Sequence, residues 1–388
     1  MNVIIRAPLL SISGYGVHSR QVFKWLNQKE NVNITSHIVQ WGNTSWMINP
    51  EMENGLVGEI IKTSRPPEGL DFDASFQVQL PDEWDPNLAK FNVGITAAVE
   101  TDRCNPEWVE RINMMDAVIV PSNHIKKTIQ NTGIVRVPLL VIPEWYHEDI
   151  DNKNFTDLGL DLDTSFNFLT VAQLTANEPE NDRKNLLYTI KWFCEAFEGD
   201  KDVGLIVKTN HGRGTRIDRT ITKNKIRKLI SEVRNGPYPK IHLIHGNLST
   251  SEISGLYKNP TVKGLISTTR GEGFGLPLLE AAACGLPVIV TNWSAHLDFM
   301  SLGKFIPIKY KLVEISPTRV DNRIFLEGFK WANPDEADFK NKIVKFRNKY
   351  KLPEQWAKEL SKKIKSNFSS KKIMSIYDES LQTLVDIK

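Results

Sequence analysis

Two glutamates, Glu272 and Glu280, stand with seven residues between them, and this is the stretch of the chain best built for chemistry. A carboxylate accepts hydrogen bonds from sugar or ribose hydroxyls, whereas it repels a phosphate that it points at directly. The glycines of Arg270-Gly271-Glu272-Gly273-Phe274-Gly275 let the backbone come close to a ligand without a Cβ in the way. The free amides at the start of the helix that follows favour a bound anion, and a diphosphate would suit them. The glutamates are therefore assigned to hydroxyls and the amides to phosphate. A second charged pair, Arg183-Lys184, precedes a helix predicted from Leu186 to Phe197. Cations at a helix start oppose the macrodipole, so something negative is expected beside them, and a diphosphate is the obvious candidate.

Local elements must hold these groups in place. Gly264-Leu265-Ile266-Ser267 is short and apolar, as a strand covered on both faces would be. Pro277 fits the first turn of a helix, Leu278 to Cys284 propagates it, Gly285 with Pro287 ends it, and Val288-Ile289-Val290 is the next strand. In open α/β sheets the crevice at the carboxyl ends of the strands is where ligands sit. Val203 to Lys208 reads as another strand with Lys208 at its carboxyl end, and Ile241 to His245 as one more, followed by Gly246-Asn247-Leu248. The chain opens in the same way: Val3-Ile4-Ile5, then Ser11-Ile12-Ser13-Gly14-Tyr15-Gly16, then helical periodicity from Val17 to Leu26. A dinucleotide fingerprint would want a third glycine and an acid at the next strand end, and neither is clear, so hydride transfer is poorly supported. Val93 to Val99 is a strand candidate that ends at Glu100-Thr101-Asp102, and Ala117 to Val120 is another, capped by Pro121-Ser122 into a helix from Asn123.

The run Glu272-Gly273-Phe274-Gly275-Leu276-Pro277-Leu278-Leu279-Glu280 resembles the Glu-x7-Glu signature of retaining glycosyltransferases with the GT-B fold, the group 1 glycosyl transferases. The resemblance implies an α/β protein of two Rossmann-like domains that face each other across a cleft, with a C-terminal helix crossing back to the first. It implies transfer of a sugar from a nucleotide-diphosphate sugar, UDP- or GDP-linked, to an acceptor hydroxyl, with retention and without a metal or other cofactor. Glu272, Lys184 and Arg183 would then be catalytic, with Lys184 on the family's diphosphate-contacting lysine and Arg183 substituting for the basic residue that many members carry where Gln173 stands. Donor binding would fall to Gly14, Tyr15, Gly16, Lys208, Asn247, Leu248, Gly273, Phe274, Gly275, Leu276 and Glu280, and acceptor binding to Glu100, Thr101 and Asp102. The acceptor stays open: a glycan, a lipid-linked sugar, a small molecule, a protein or a hydroxylated nucleobase in DNA. So do an epimerase or phosphorylase on the same fold and a silent sugar-nucleotide binding module.

A chain of 388 residues has room for two domains. The acidic, aperiodic residues 148–164 read as a linker, which gives an acceptor domain over 1–147 and a donor domain over 165–352. By the resemblance, helices over 353–388 brace the first domain. Lys+Arg 49 against Asp+Glu 46 leaves +3, too little to argue nucleic-acid or membrane binding from charge. Three separated cysteines suggest neither a disulfide framework nor a zinc site and fit a reducing compartment. No apolar run approaches a membrane span, so a cytoplasmic protein is expected, with any membrane contact made through its substrate. Asp71-Phe72-Asp73 and Asp161-Leu162-Asp163 have metal-binding Asp-x-Asp spacing, but neither follows a clear buried strand. His242 and His245 fall on opposite faces of their strand, which disfavours a metal site there.

Overall fold

The computed structural model describes residues 1–65, 69–153 and 155–385. Asn154 of the expected linker and residues 386–388 of the expected C-terminal helices lie outside the described residues. The chain divides into two units, Met1–Trp145 with Ser370–Lys388, and Tyr146–Ser369.

In the first unit the strands are β1 (Asn2–Ala7), β2 (Asn33–Ile38), β3 (Ala74–Val78), β4 (Phe91–Ile95), β5 (Ala117–Val120) and β6 (Leu139–Val141). They form a parallel sheet in the order β2-β1-β3-β4-β5-β6. The helices are α1 (Gly14–Leu26), α2 (Leu56–Lys62), α3 (Pro106–Ile112) and α4 (Asn123–Thr132). Every residue of β3 and β5 is buried, as strands with both faces covered require. The strand predicted from Val93 to Val99 ends at Ile95, because Ala98 turns into the left-handed region with φ 45°. Glu100 therefore lies in the loop beyond the strand, not at its end.

The second unit has β7 (Phe166–Val171), β8 (Val203–Thr209), β9 (Lys240–His245), β10 (Val262–Ser267), β11 (Val288–Thr291) and β12 (Ile306–Ile308). Their order, β12-β11-β10-β7-β8-β9, reverses direction between β10 and β7. Such a reversal is the switch point at which doubly wound sheets bind ligands. Its helices are α5 (Leu186–Ala196), α6 (Arg216–Val233), α7 (Thr250–Lys258), α8 (Leu276–Ala283), α9 (Leu297–Met300), α10 (Glu336–Lys349) and α11 (Lys351–Asn367). An antiparallel hairpin of β13 (Tyr310–Glu314) and β14 (Lys330–Pro334) stands apart from the main sheet. Phe168, Ile190, Phe193, Leu205, Ile266, Ile289 and Phe346 share one core. Each such side chain contributes about 1.5–3 kcal/mol when fully buried, which fixes α5 against the sheet and so the residues at its start.

The expected linker is not free chain: Thr156 donates its amide to Ser251 Oγ at 3.1 Å, and Ser254 Oγ donates to the Asp149 carbonyl at 3.0 Å, which ties it to α7. The helices from 353 onward, expected together, divide. α11 stays in the second unit, where Ser361 Oγ donates to the Ala283 carbonyl at 2.6 Å. α12 (Ser370–Leu381) belongs to the first unit and stacks Tyr377 on Trp25 with ring centroids 4.8 Å apart.

Candidate active site at the switch point of the second unit

The loops after β7 and β10, the strands on either side of the reversal, carry Arg183, Lys184 and Glu272. They are clasped through backbone and side chain alike. The Arg270 amide donates to the Arg183 carbonyl at 2.8 Å, and Arg183 Nη1 donates to the Gly271 carbonyl at 2.7 Å. Asn185, left-handed at φ 55°, donates to Thr268 Oγ1 at 3.0 Å, and Thr268 also meets Thr189 at 2.6 Å.

At the centre, Lys184 Nζ donates to both oxygens of Glu272, at 2.7 and 2.6 Å, with Arg183 Nη1 3.7 Å from Oε2. Glu272 is 6% exposed. Burial pushes its carboxyl upward, but Lys184 and Arg183 outweigh burial and hold it below the usual range. The negative partner expected beside the two cations is thus supplied partly by the chain itself. Asp182, buried beside them, holds the loop and the helix start: its Oδ2 caps the Leu186 amide at 2.8 Å and its Oδ1 accepts from Thr175 Oγ1 at 2.5 Å. Nothing in the sequence marked Asp182, which looks like any acid before a helix.

Behind Glu272, the Ser294 hydroxyl accepts from the Glu272 amide at 2.9 Å, and His296 bonds the Thr291 carbonyl through Nε2 at 2.8 Å. Burial lowers the His296 pKa to about 4, so the ring is neutral and props the loop. Gly275 adopts φ 102°, where a Cβ would press on His296 Cβ at 3.3 Å. That glycine is needed for the turn into α8. The Phe274 ring packs on Phe299 and Phe368 in the core, leaving backbone as the part of this residue that can face a ligand.

Glu280, on α8, accepts from the Tyr257 hydroxyl at 3.2 Å, and His147 Nε2 lies 3.9 Å from its other oxygen. Burial pushes its carboxyl up to about 8, against the pull of the Tyr257 bond. The two glutamates of one motif are thus held in opposite states at neutral pH. Lys208 donates to the Gly246 carbonyl at 2.8 Å, and burial lowers its pKa to about 8. Asn247 is exposed and bonded to Asn210, and Leu248 is half-buried.

Gly14, Tyr15, Gly16, Glu100, Thr101 and Asp102 lie in the first unit. There Tyr15 reaches the loop after β4, its hydroxyl 3.0 Å from both Thr96 Oγ1 and the Ala97 amide. Thr101 is buried and donates to the Arg103 carbonyl at 2.7 Å. A Cβ on Gly16 would lie 1.9 Å from the Ser11 carbonyl oxygen, so this glycine serves the packing of the turn, while Gly14 faces open space.

Among the described residues no group of three or more His, Cys, Asp and Glu is placed to hold a metal ion. Asp73 and Asp163 are each paired with a lysine, Lys90 at 2.9 Å and Lys240 at 3.0 Å. Among them also, no helix is long and apolar enough to cross a membrane.

Residues 223–363, which include Glu272 and Glu280, match the family model "Glycosyl transferases group 1". No curated protein matches the chain in sequence. Among solved structures it resembles the pneumococcal O-GlcNAc transferase GtfA in complex with UDP and GlcNAc, at 16% identity and TM-score 0.52, over 85% of this chain and 60% of that one. It resembles sucrose-phosphate synthase from Thermosynechococcus elongatus, at 13% identity and TM-score 0.61, over 99% of this chain and 98% of that one. It also resembles Anabaena HepE in complex with UDP and glucose, at 13% identity and TM-score 0.61, over 99% of each chain. At these identities the likeness is one of fold, and the chain spans only 60% of the length of the pneumococcal transferase. On a GT-B fold of two Rossmann-like units, residues 223–363 of the chain are similar to the group 1 glycosyl transferases.

Proposed function

We propose that the protein transfers a sugar from a nucleotide-diphosphate sugar to an acceptor hydroxyl, with retention of configuration and with cations of its own side chains in place of a metal. The observation that carries this reading is the cluster of buried Glu272 with half-buried Lys184 and Arg183 at the switch point of the second unit. When the bond from the anomeric carbon to the phosphate oxygen breaks, charge develops on the departing diphosphate. Lys184 and Arg183, already fixed by the loops around them, stabilise it without reorganising, which is the source of most catalysis of this kind. Glu272 stays ionised beside them and accepts from hydroxyls of the transferred sugar. Glu280 takes the ribose hydroxyls, Lys208 adds a cation, and the amides from Gly273 to Leu276 face the phosphates. The match of the domain carrying both glutamates to the glycosyl transferases supports the same reading.

The test is incubation of the full chain with radiolabelled UDP- and GDP-sugars and a panel of hydroxylated acceptors. Transfer, or slow donor hydrolysis in the absence of acceptor, is expected, and the anomeric proton coupling of the product should match the donor's. An isomerised donor would replace this reading with an epimerase. Binding without turnover would replace it with a binding module.

A further inference from the structure

α6 (Arg216–Val233) packs one side on the second unit through buried Thr222 and Ile226 and turns the other to solvent. At about 100° per residue, Ile217, Ile221, Asn224 and Lys228 form the row that points furthest from the buried side. Ile217 is 73% and Ile221 51% exposed. Arg216, Lys223 and Arg227, all exposed, form a second row beside the first. Among the described residues none of these three cations makes an ion pair. Lys228 approaches Glu232 at 4.0 Å, a solvated pair worth little. Asp218, the acid of the first turn, is taken up by the helix cap: the Thr215 amide donates to its Oδ2 at 2.9 Å. The chain as a whole carries only +3, so this concentration of cations is local to the helix.

A single exposed apolar side chain is ordinary, but two that are one turn apart beside a row of unpaired cations make a surface with a definite complement. Its charge calls for a polyanion. A nucleic acid would satisfy the cations, but α6 has no aromatic side chain on which a base could stack, and the isoleucines gain nothing from phosphates. A second copy of the same face would set cations against cations. An anionic lipid surface meets both rows: its phosphates pair with the guanidinium and ammonium groups, while the isoleucines enter the boundary between headgroups and acyl chains. We infer that the exposed face of α6 docks the protein on an anionic lipid surface. Among the described residues no helix is long and apolar enough to cross a membrane, so α6 would lie on the surface rather than span it. The inference stands whether or not the chain transfers sugar.

The experiment floats the full chain with vesicles of phosphatidylcholine alone and with vesicles of phosphatidylcholine and phosphatidylglycerol in equal parts. Binding is expected to the second and not to the first, and it should weaken as salt is raised, because the attraction acts within a Debye length. Arg216→Gln combined with Lys223→Gln and Arg227→Gln should lower the vesicle affinity on the order of 10²-fold, as the loss of three cations near the surface implies. Ile217→Ser combined with Ile221→Ser, which leaves the charge unchanged, should lower it roughly tenfold or more. All five positions are exposed, so both variants should melt with the parent, and a loss of binding then belongs to the face itself. The inference is overturned if the anionic vesicles do not float the chain, if the glutamine variant binds them as the parent does, or if the serine variant does. Labelled duplex DNA is titrated in parallel. Binding of DNA that is lost in the glutamine variant, with no binding of vesicles, would assign the face to a nucleic acid instead.

Discussion

Lys184 and Glu272 hold each other in a place where neither would be stable alone. With Lys184→Ala, Glu272 keeps the Arg183 guanidinium at 3.7 Å, and its buried carboxylate loses its closest donor. The variant should therefore lose about 1–3 kcal/mol of stability, the cost of a buried charged acceptor left short. Turnover should fall on the order of 10²- to 10³-fold, while the intact donor binds within a few-fold of the parent, because the lysine acts most on the additional negative charge that develops as the diphosphate leaves. Steady-state rates at saturating donor, with isothermal titration of the nucleotide, check this, and an unchanged turnover number would remove Lys184 from the chemistry. Glu280 poses the opposite problem. Its folded pKa of about 8 lies above its ordinary 4.5, so between those values the native state binds the proton that the unfolded chain has released. Stability is therefore present below pH 4.5, declines as pH rises, and is fully lost above about 8. Glu280→Gln has no proton to lose, so its melting temperature should hold where the parent's falls, and calorimetry across that range would show the two curves diverging. Parallel curves would mean that the carboxyl is solvated.

At the scale of elements, what the sequence made legible was local and what it hid was distant. β8, β10, α8 and β11 were readable because apolar runs, Pro277, Gly285 and Pro287 each act on their immediate neighbours. The bond from Asn185 to Thr268 joins residues 83 apart, and no periodicity announces it. The overlong strand before Glu100 has the same cause in reverse: Ala97, Ala98 and Val99 are apolar enough to extend β4, yet Ala98 leaves the extended region. The divided C-terminal helices follow too, since two amphipathic segments in a row do not reveal which sheet each covers. Glycines show the contrast at one turn. Gly14 and Gly16 look alike in sequence, but a Cβ meets nothing within 4 Å at the first and the Ser11 carbonyl at 1.9 Å at the second. Gly16→Ala should then cost about 1–3 kcal/mol or more, as overpacking does, while Gly14→Ala should stay within about 0.5 kcal/mol of the parent. Chemical denaturation of both variants decides it, and equal stabilities would mean that the turn relaxes freely.

For the whole molecule, the path of the chain matters more than its length. Its last helix returns to the unit in which the chain began, so residues from both ends share one core. Tyr377 is 1% exposed, stacks on Trp25 and lies 3.4 Å from His18 Nε2, while Asp378 accepts from Trp25 Nε1 at 2.7 Å and pairs with Lys29. Burial lowers the His18 pKa to about 4, so a neutral ring meets the phenol. Truncating Tyr377 to alanine would open a cavity against Trp25 at a cost of about 3–5 kcal/mol, typical for a large buried aromatic. Because the second unit has its own sheet and core, that loss should be confined to the first. Hydrogen exchange should show weakened protection in β1, β3 and α1, with β7, β8 and α5 unchanged. If Lys184 and Glu280 hold the nucleotide as proposed, Tyr377→Ala should bind it nearly as the parent does, even as the first unit loosens. Equal loss of protection in both sheets would mean that the units unfold as one and that the last helix stabilises the entire chain rather than the unit it joins.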